Sequence, residues 1–265
     1  MVDIDASVNN QSALAKLLCG NIVASGGEIY EVLSYLSTSI DNVVNELETL
    51  ESMSSNQISL YAPFLGRSIL ELGCTALIAR LDPFRVLLQR KYQLQSNYFT
   101  ELIGKPNKSS IRWQGDVLSG KVTELWSDKS LQIPTRALLG DYYKELIWIP
   151  NFDKFLDEVE DVSGDQWIFE LKQKENFDQF YNEIVSGFSS LYSELSKGIH
   201  HELVIPPSSA FDTETARQLI KKTIRNIATL GLFVCVISHT LNKLDIEPAI
   251  AAYREIQDMG VLQWS

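Results

Sequence analysis

Apolar residues recur every third or fourth position along nearly the whole chain, and strict alternation of apolar with polar residues is hard to find. Side chains three and four apart share one face of an α-helix, whereas those two apart share one face of a strand, so this spacing predicts an all-α protein, a helical bundle. The first amphipathic stretches cover residues 12–22 and 28–50. In the second, Ile29, Val32, Leu33, Leu36, Ile40, Val43, Val44, Leu47 and Leu50 form one stripe, and Gly26 and Gly27 separate the two. Residues 55–81 are apolar over most of the helix circumference, as expected of a central helix, with Pro63 either kinking it or marking its start. Asp82-Pro83 then breaks the chain and suits a new helix start, Asp82 as cap and Pro83 in the first turn, running to about Ile103.

Residues 104–110 are the clearest loop, and residues 111–170 are cut into short pieces by Gly115, Gly120, Pro134, Gly140, Pro150 and Gly164. We read one helical domain over residues 1–265, with an insertion of short helices within 104–170. A long helix over 175–197 carries aromatic and aliphatic residues at spacings of three and four. After Pro206-Pro207 comes another over 213–244, with Asp212 as cap, and a short amphipathic helix over 247–258 follows.

Composition agrees with a globular chain. Of 265 residues 45% are hydrophobic and 22% charged, and 23 basic against 34 acidic residues leave a net charge of −11. Such a balance excludes a generally basic nucleic-acid coat. Residues 1–10 show no basic stretch leading into an apolar run, and the longest strongly apolar run, 227–238, falls short of a bilayer span of roughly 20 residues, so a cytoplasmic protein without membrane contact is expected. Cys19, Cys74 and Cys235 are widely spaced among apolar neighbours and read as reduced core residues.

Gly115 to Lys121 has the GxxxxGK spacing of a phosphate loop, but Val122 replaces the magnesium-binding hydroxyl and no strand precedes it, so the match reads as coincidence and no cofactor is expected. Arg67 and Glu71 lie four apart on the most apolar helix. The plainer reading is an ion pair within one helix; the sharper one has both projecting into a polar pocket between helices, met by a partner such as a histidine from the other half of the chain, His200 in particular. The histidines are His200, His201 and His239. Adjacent His200 and His201 point apart on a helix and no HExxH spacing exists, so no metal site is expected. His239 reads as a helix-end or core residue, whereas His200, directly after the aromatic helix, suits a general acid or base. Residues 153–183 hold ten acidic residues and three lysines. Arg217, Lys221 and Arg225 recur every four residues beside Lys222, and Arg80, Arg85, Arg90 and Lys91 form a second basic group. Each reads as a solvated helix face or, alternatively, as a phosphate or nucleic-acid groove, with the acidic stretch offering a face for a basic partner.

A helix containing Leu65-Gly-Arg67-Ser-Ile-Leu-Glu71 before an Asp-Pro break, and a later helix ending Leu191-Tyr-Ser-Glu-Leu-Ser196-Lys-Gly-Ile-His200-His201, together resemble the HEPN superfamily of all-α domains. The resemblance implies either a metal-independent ribonuclease of defence and toxin-antitoxin systems or a dimerising relative without catalysis. Active members carry an arginine four to six residues before the histidine; here that stretch is Ser193, Glu194, Leu195 and Ser196, and the nearest cation is Lys197. Lysine lacks the guanidinium fork that grips phosphate in two places. The resemblance therefore implies a non-catalytic or weakly catalytic interaction subunit, a homodimer or bound to a protein partner. The alternative is a ribonuclease acting on RNA, with His200 or His201 as base, Arg67 or Lys197 on phosphate and Glu71 or Ser196 orienting the imidazole. A small-molecule binder or signalling adaptor is a third reading, since bundle interiors also form pockets.

Overall fold

The long apolar helix expected over residues 55–81 forms with those ends and is the element around which the others pack. The computed structural model describes residues 11–22, 27–94, 137–159, 166–174, 176–198 and 211–262. The loop at 104–110, the GxxxxGK spacing at 115–121, and both His200 and His201 lie outside the described residues. Helices α1 (Ala13–Cys19), α2 (Glu28–Thr49), α3 (Ser55–Leu81) and α4 (Pro83–Gln93) make up the first half. The second half holds α5 (Asp141–Tyr143), a π-helical turn (Lys144–Trp148), α6 (Ile149–Glu158), α7 (Gln166–Lys172), α8 (Phe177–Lys197), α9 (Thr213–Val234) and α10 (Ile246–Gln257). No strand occurs among the described residues, so the fold is an all-α bundle.

Local chemistry sets several helix starts. Ser54 and Gln57 make a capping box ahead of α3: the Ser54 hydroxyl accepts from Gln57 N at 3.4 Å and Gln57 Oε1 accepts from Ser54 N at 3.0 Å. Ser12, Asn176 and Asp212 accept from the third backbone N–H of α1, α8 and α9 in the same way. Pro63 lies inside α3, which continues through it. Pro150 does not break the chain either: it falls in the first turn of α6, where its missing N–H matters little, and the π-helical turn joins α6 to α5.

Because α3 is apolar nearly all round, it is surrounded. It packs most extensively on α9, then on α2, and also on α8, α4 and α1. Among the described residues it is the helix long and apolar enough to cross a bilayer, and 72% of that stretch is buried inside the bundle. The described part of the expected insertion joins the same core: Phe155 of α6 stacks on Phe233 of α9 at 4.4 Å between ring centroids, and Trp148 meets Phe233 edge-on at 5.1 Å. The buried apolar side chains form one cluster running from Ala13 to Leu262. All three cysteines are free and buried in it, and desolvation pushes the Cys19 thiol up to about 12 and raises those of Cys74 and Cys235 as well.

Two expectations are corrected at the end of α9. The helix stops at Val234 rather than at residue 244, and His239 lies beyond it in an exposed turn, neither in the core nor at the helix end. The cause is tertiary. Arg80, on the last turn of α3, is wholly buried and is not part of a surface basic group. Its Nη1 donates to Leu17 O (2.9 Å) and Leu18 O (3.3 Å) at the end of α1, while Nε donates to Leu241 O (3.1 Å) and Nη2 to Asn242 O (3.3 Å). Leu241 N returns a bond to Arg80 O at 3.0 Å. Holding the 241–242 carbonyls against α1 requires the chain to leave its helix, and Thr240 Oγ1 and Lys154 Nζ take up the carbonyls of Val234 and Val236 at 2.9 Å each. Asn242 adopts φ +54° there, and Gly20, at φ +76°, faces it so closely that a Cβ at position 20 would lie 1.9 Å from Asn242 O.

Replacing Arg80 by Met preserves bulk and leaves four carbonyl groups, two buried and two part-buried, without this donor. Arg80→Met is expected to lose about 3 to 5 kcal/mol of unfolding free energy in urea titrations. Arg80→Lys should recover less than half of that, because an ammonium does not span the same four acceptors. A loss below about 1 kcal/mol in Arg80→Met would show that the carbonyls find other donors.

Candidate functional site

Arg67 and Glu71 stand one turn apart on the face of α3 that meets α8. The two helices come close there because position 66 has no side chain: a Cβ on Gly66 would sit 2.9 Å from Leu195 Cδ2. Tyr192 and Ser196, four apart on α8, therefore lie within reach of Arg67. Its Nε donates to Glu71 Oε1 at 2.9 Å, Nη1 to Ser196 Oγ at 2.5 Å and Nη2 to Tyr192 Oη at 2.5 Å, and its Cζ lies 4.2 Å from the Tyr192 ring centroid. The Ser196 hydroxyl in turn donates to Tyr192 O at 2.6 Å. The expected ion pair within one helix is present; from the other half of the chain a serine and a tyrosine of α8 meet Arg67, whereas His200, the histidine expected beside it, lies outside the described residues. The cluster is half-buried, with the side chains of Arg67 and Glu71 21% and 40% exposed.

Among the candidate catalytic residues, then, Arg67, Glu71 and Ser196 are brought together. Lys197 is not part of the cluster: its Nζ bonds Glu194 Oε1 at 2.9 Å on the same helix. Chemically the cluster is a guanidinium with all three nitrogens bonded to groups of its own chain and a serine hydroxyl whose proton is committed to a backbone carbonyl. Tyr192 was missed in the sequence; its place four residues before Ser196 was the available signal.

The basic residues of α9 are interleaved with carboxylates. Arg217 Nη1 lies 2.9 Å from Glu214 Oε2 on the same helix, and Arg225 bonds Glu170 of α7 while covering the Trp167 ring at 5.3 Å. Lys221 is half-buried, and Lys222 is exposed on a cleft of about 820 Å³ between α7, α8 and α9 whose walls also carry Glu170, Glu183 and Glu194. The second basic group divides: Arg90 and Lys91 pair with Glu31 and Glu28 of α2, and Arg80 is interior. In the acidic stretch, Glu170, Asp178 and Glu183 face Arg225, Lys144 and Lys174. No group of His, Cys, Asp and Glu side chains suited to a metal ion occurs among the described residues.

A second feature carried no sequence signal. Between α2, α3 and α4 lies a groove of about 850 Å³, floored by Val32, Leu36, Val43, Leu72 and Val86. Tyr35 and Phe64 also line it and are 73% and 59% exposed. Glu71 belongs both to this wall and to the Arg67 cluster. No protein-family model, curated protein or solved structure matches the chain.

Charge-assisted bonds of this half-buried kind are each worth on the order of 1 to 2 kcal/mol after solvent screening, so Arg67→Ala should lose roughly 1 to 3 kcal/mol in denaturant titrations. A double-mutant cycle with Tyr192→Phe should give a coupling of about 0.5 kcal/mol or more; additive losses would mean the two side chains do not interact in solution. The hydrogen bond from Arg225 holds the Glu170 carboxyl below the usual glutamate range. Its stabilisation is therefore complete at neutral pH and disappears as pH falls through that lowered value. The stability gap between the wild type and Glu170→Gln should close on acidification below about pH 4.3 and stay constant from pH 6 to 8.

Proposed function

We propose that this chain is a HEPN-like helical interaction module, a non-catalytic or weakly catalytic subunit of a microbial defence or toxin-antitoxin assembly, acting in the cytoplasm as a homodimer or on a protein partner. The observation that carries this reading is the engagement of Arg67. Grip on a scissile phosphate needs guanidinium N–H groups directed at the substrate, and here Nε, Nη1 and Nη2 are bonded to Glu71, Ser196 and Tyr192. Lys197, the cation nearest the family's usual arginine position, is held by Glu194. The exposed aromatic rings of Tyr35 and Phe64 beside an aliphatic groove suit contact with another molecule better than they suit solvent.

One observation favours the ribonuclease reading. Arg67 converges on the last turn of α8, the turn from which the chain runs on to His200 and His201. In that reading one of these histidines is the general base, Arg67 or Lys197 faces the phosphate, and Glu71 or Ser196 orients the ring.

Incubation with mixed RNA in EDTA at micromolar protein, alongside light scattering on a gel-filtration column, separates the two. The interaction reading expects intact RNA and a mass of two chains, or of a complex with a co-purifying protein. RNA cleavage that is lost in His200→Ala establishes the ribonuclease instead. A strict monomer that retains no partner counts against the interaction module.

A further inference from the structure

Four large apolar side chains stand in solvent along one face of the α2–α3 pair: Leu60 (44% exposed), Tyr61 (49%) and Phe64 (59%) of α3, and Tyr35 (73%) of α2. Leu60 and Tyr61 lie four and three residues before Phe64, and Phe64 lines the same groove as Tyr35. A group of exposed rings of this kind marks a contact surface. The polar side chains among them are already satisfied within the chain. Ser39 Oγ donates to Tyr35 O at 2.8 Å, Ser68 Oγ to Phe64 O at 2.8 Å and Thr75 Oγ1 to Glu71 O at 2.7 Å, while Glu31 and Glu71 are paired with Arg90 and Arg67. An apolar side chain laid over Ser39 or Ser68 therefore strands no hydroxyl donor.

Charge says what covers this face. Tyr35, Ser39 and Asn42 line the groove, and the same stripe of α2, at spacings of three and four, continues to Glu46. Glu46, Glu48 and Glu51 are exposed and have no ion-pair partner among the described residues. They stand at the C-terminal end of α2, where the helix dipole disfavours negative charge, and no basic residue occupies its last turn. At the other end of the face Arg90 and Lys91 are already matched by Glu31 and Glu28. A second copy of the chain would bring from this face no unmatched cation to the three glutamates, whereas a basic partner supplies one. We propose that the α2–α3 face docks an amphipathic helix of a partner protein, its apolar stripe on Tyr35, Leu60, Tyr61 and Phe64 and its basic end against Glu46, Glu48 and Glu51. The proposal rests on the interaction reading above and names the partner's chemistry. A helix suits the face because a third helix packs into the furrow between two that already touch, as α2 and α3 do. From Tyr35 to Glu46 the furrow runs for about 17 Å, roughly three turns.

The probe is a labelled synthetic helix of about 15 residues, with leucines at spacings of three and four and lysines at one end, titrated with the full chain by fluorescence anisotropy at about 0.15 M salt. One control peptide carries glutamates for the lysines, and the other has its leucines scrambled. The lysine peptide should bind saturably and at least about tenfold tighter than either control. Tyr35→Ala with Phe64→Ala should weaken it at least about tenfold, as loss of aromatic anchors does, and should unfold at the same urea concentration as the wild type because both residues are exposed. Glu46→Lys, Glu48→Lys and Glu51→Lys together should weaken the lysine peptide and strengthen the glutamate one. Three reversals elsewhere, at Asp153, Glu158 and Glu247, should change either affinity by less than about threefold. Equal binding of the lysine and scrambled peptides overturns the proposal, as does an equal loss from both sets of reversals, which would mean that net charge alone attracts the peptide. A dimer that dissociates in Tyr35→Ala with Phe64→Ala overturns it too and gives the face to a second copy. If the lysine peptide does not bind while the wild type still holds a partner on the gel-filtration column, this proposal falls and the interaction reading stands.

Discussion

A single buried guanidinium ties together the two ends of the described chain. Arg80 carries a permanent positive charge into a core of aliphatic side chains, a placement tolerated only where donors meet acceptors throughout. It meets backbone carbonyls: two at the close of α1 and two in the loop after α9. Carbonyls at a helix C-terminus carry partial negative charge and lack helical partners, so this cation answers a need that α1 has in any case. Two segments far apart in sequence are thereby fixed against the end of α3. That fixation ends α9 at Val234 and sends the chain back toward α10.

The other arginine on α3 works differently. Arg67 faces α8 at the edge of the bundle, partly exposed, and finds side chains: a carboxylate, a hydroxyl and a phenol. It fixes the angle between α3 and α8 where Gly66 lets them touch. Through Glu71 the same cluster forms part of the wall of the α2–α3–α4 groove, so a tie between helices and an open groove share a residue.

Helix positions were largely legible because their causes are local. Residues 28–49 and 55–81 follow from an apolar stripe bounded by glycines, by serine and by Asp-Pro. The end of α9 was not legible: Val236 and Ile237 continue the apolar run, and what stops the helix is an arginine more than 150 residues earlier in the chain. In the same way the Arg67–Glu71 pair is visible at a spacing of four, whereas Tyr192 and Ser196 lie 125 and 129 residues away and become partners only through packing. Arg80 posed the same question as Arg67, a charge on the greasiest helix, and its answer lay in main-chain atoms that no side-chain pattern marks.

The cysteines give the fold a built-in record of its own integrity. Sulfur reacts with alkylating reagents and oxidants as the thiolate, and burial holds all three thiols protonated at neutral pH. They lie on α1, on α3 and just past α9, the segments gathered around the end of α3. A reagent that modifies any of them at neutral pH has met a molecule whose helices had already parted, so the pace of labelling clocks the opening of this one junction.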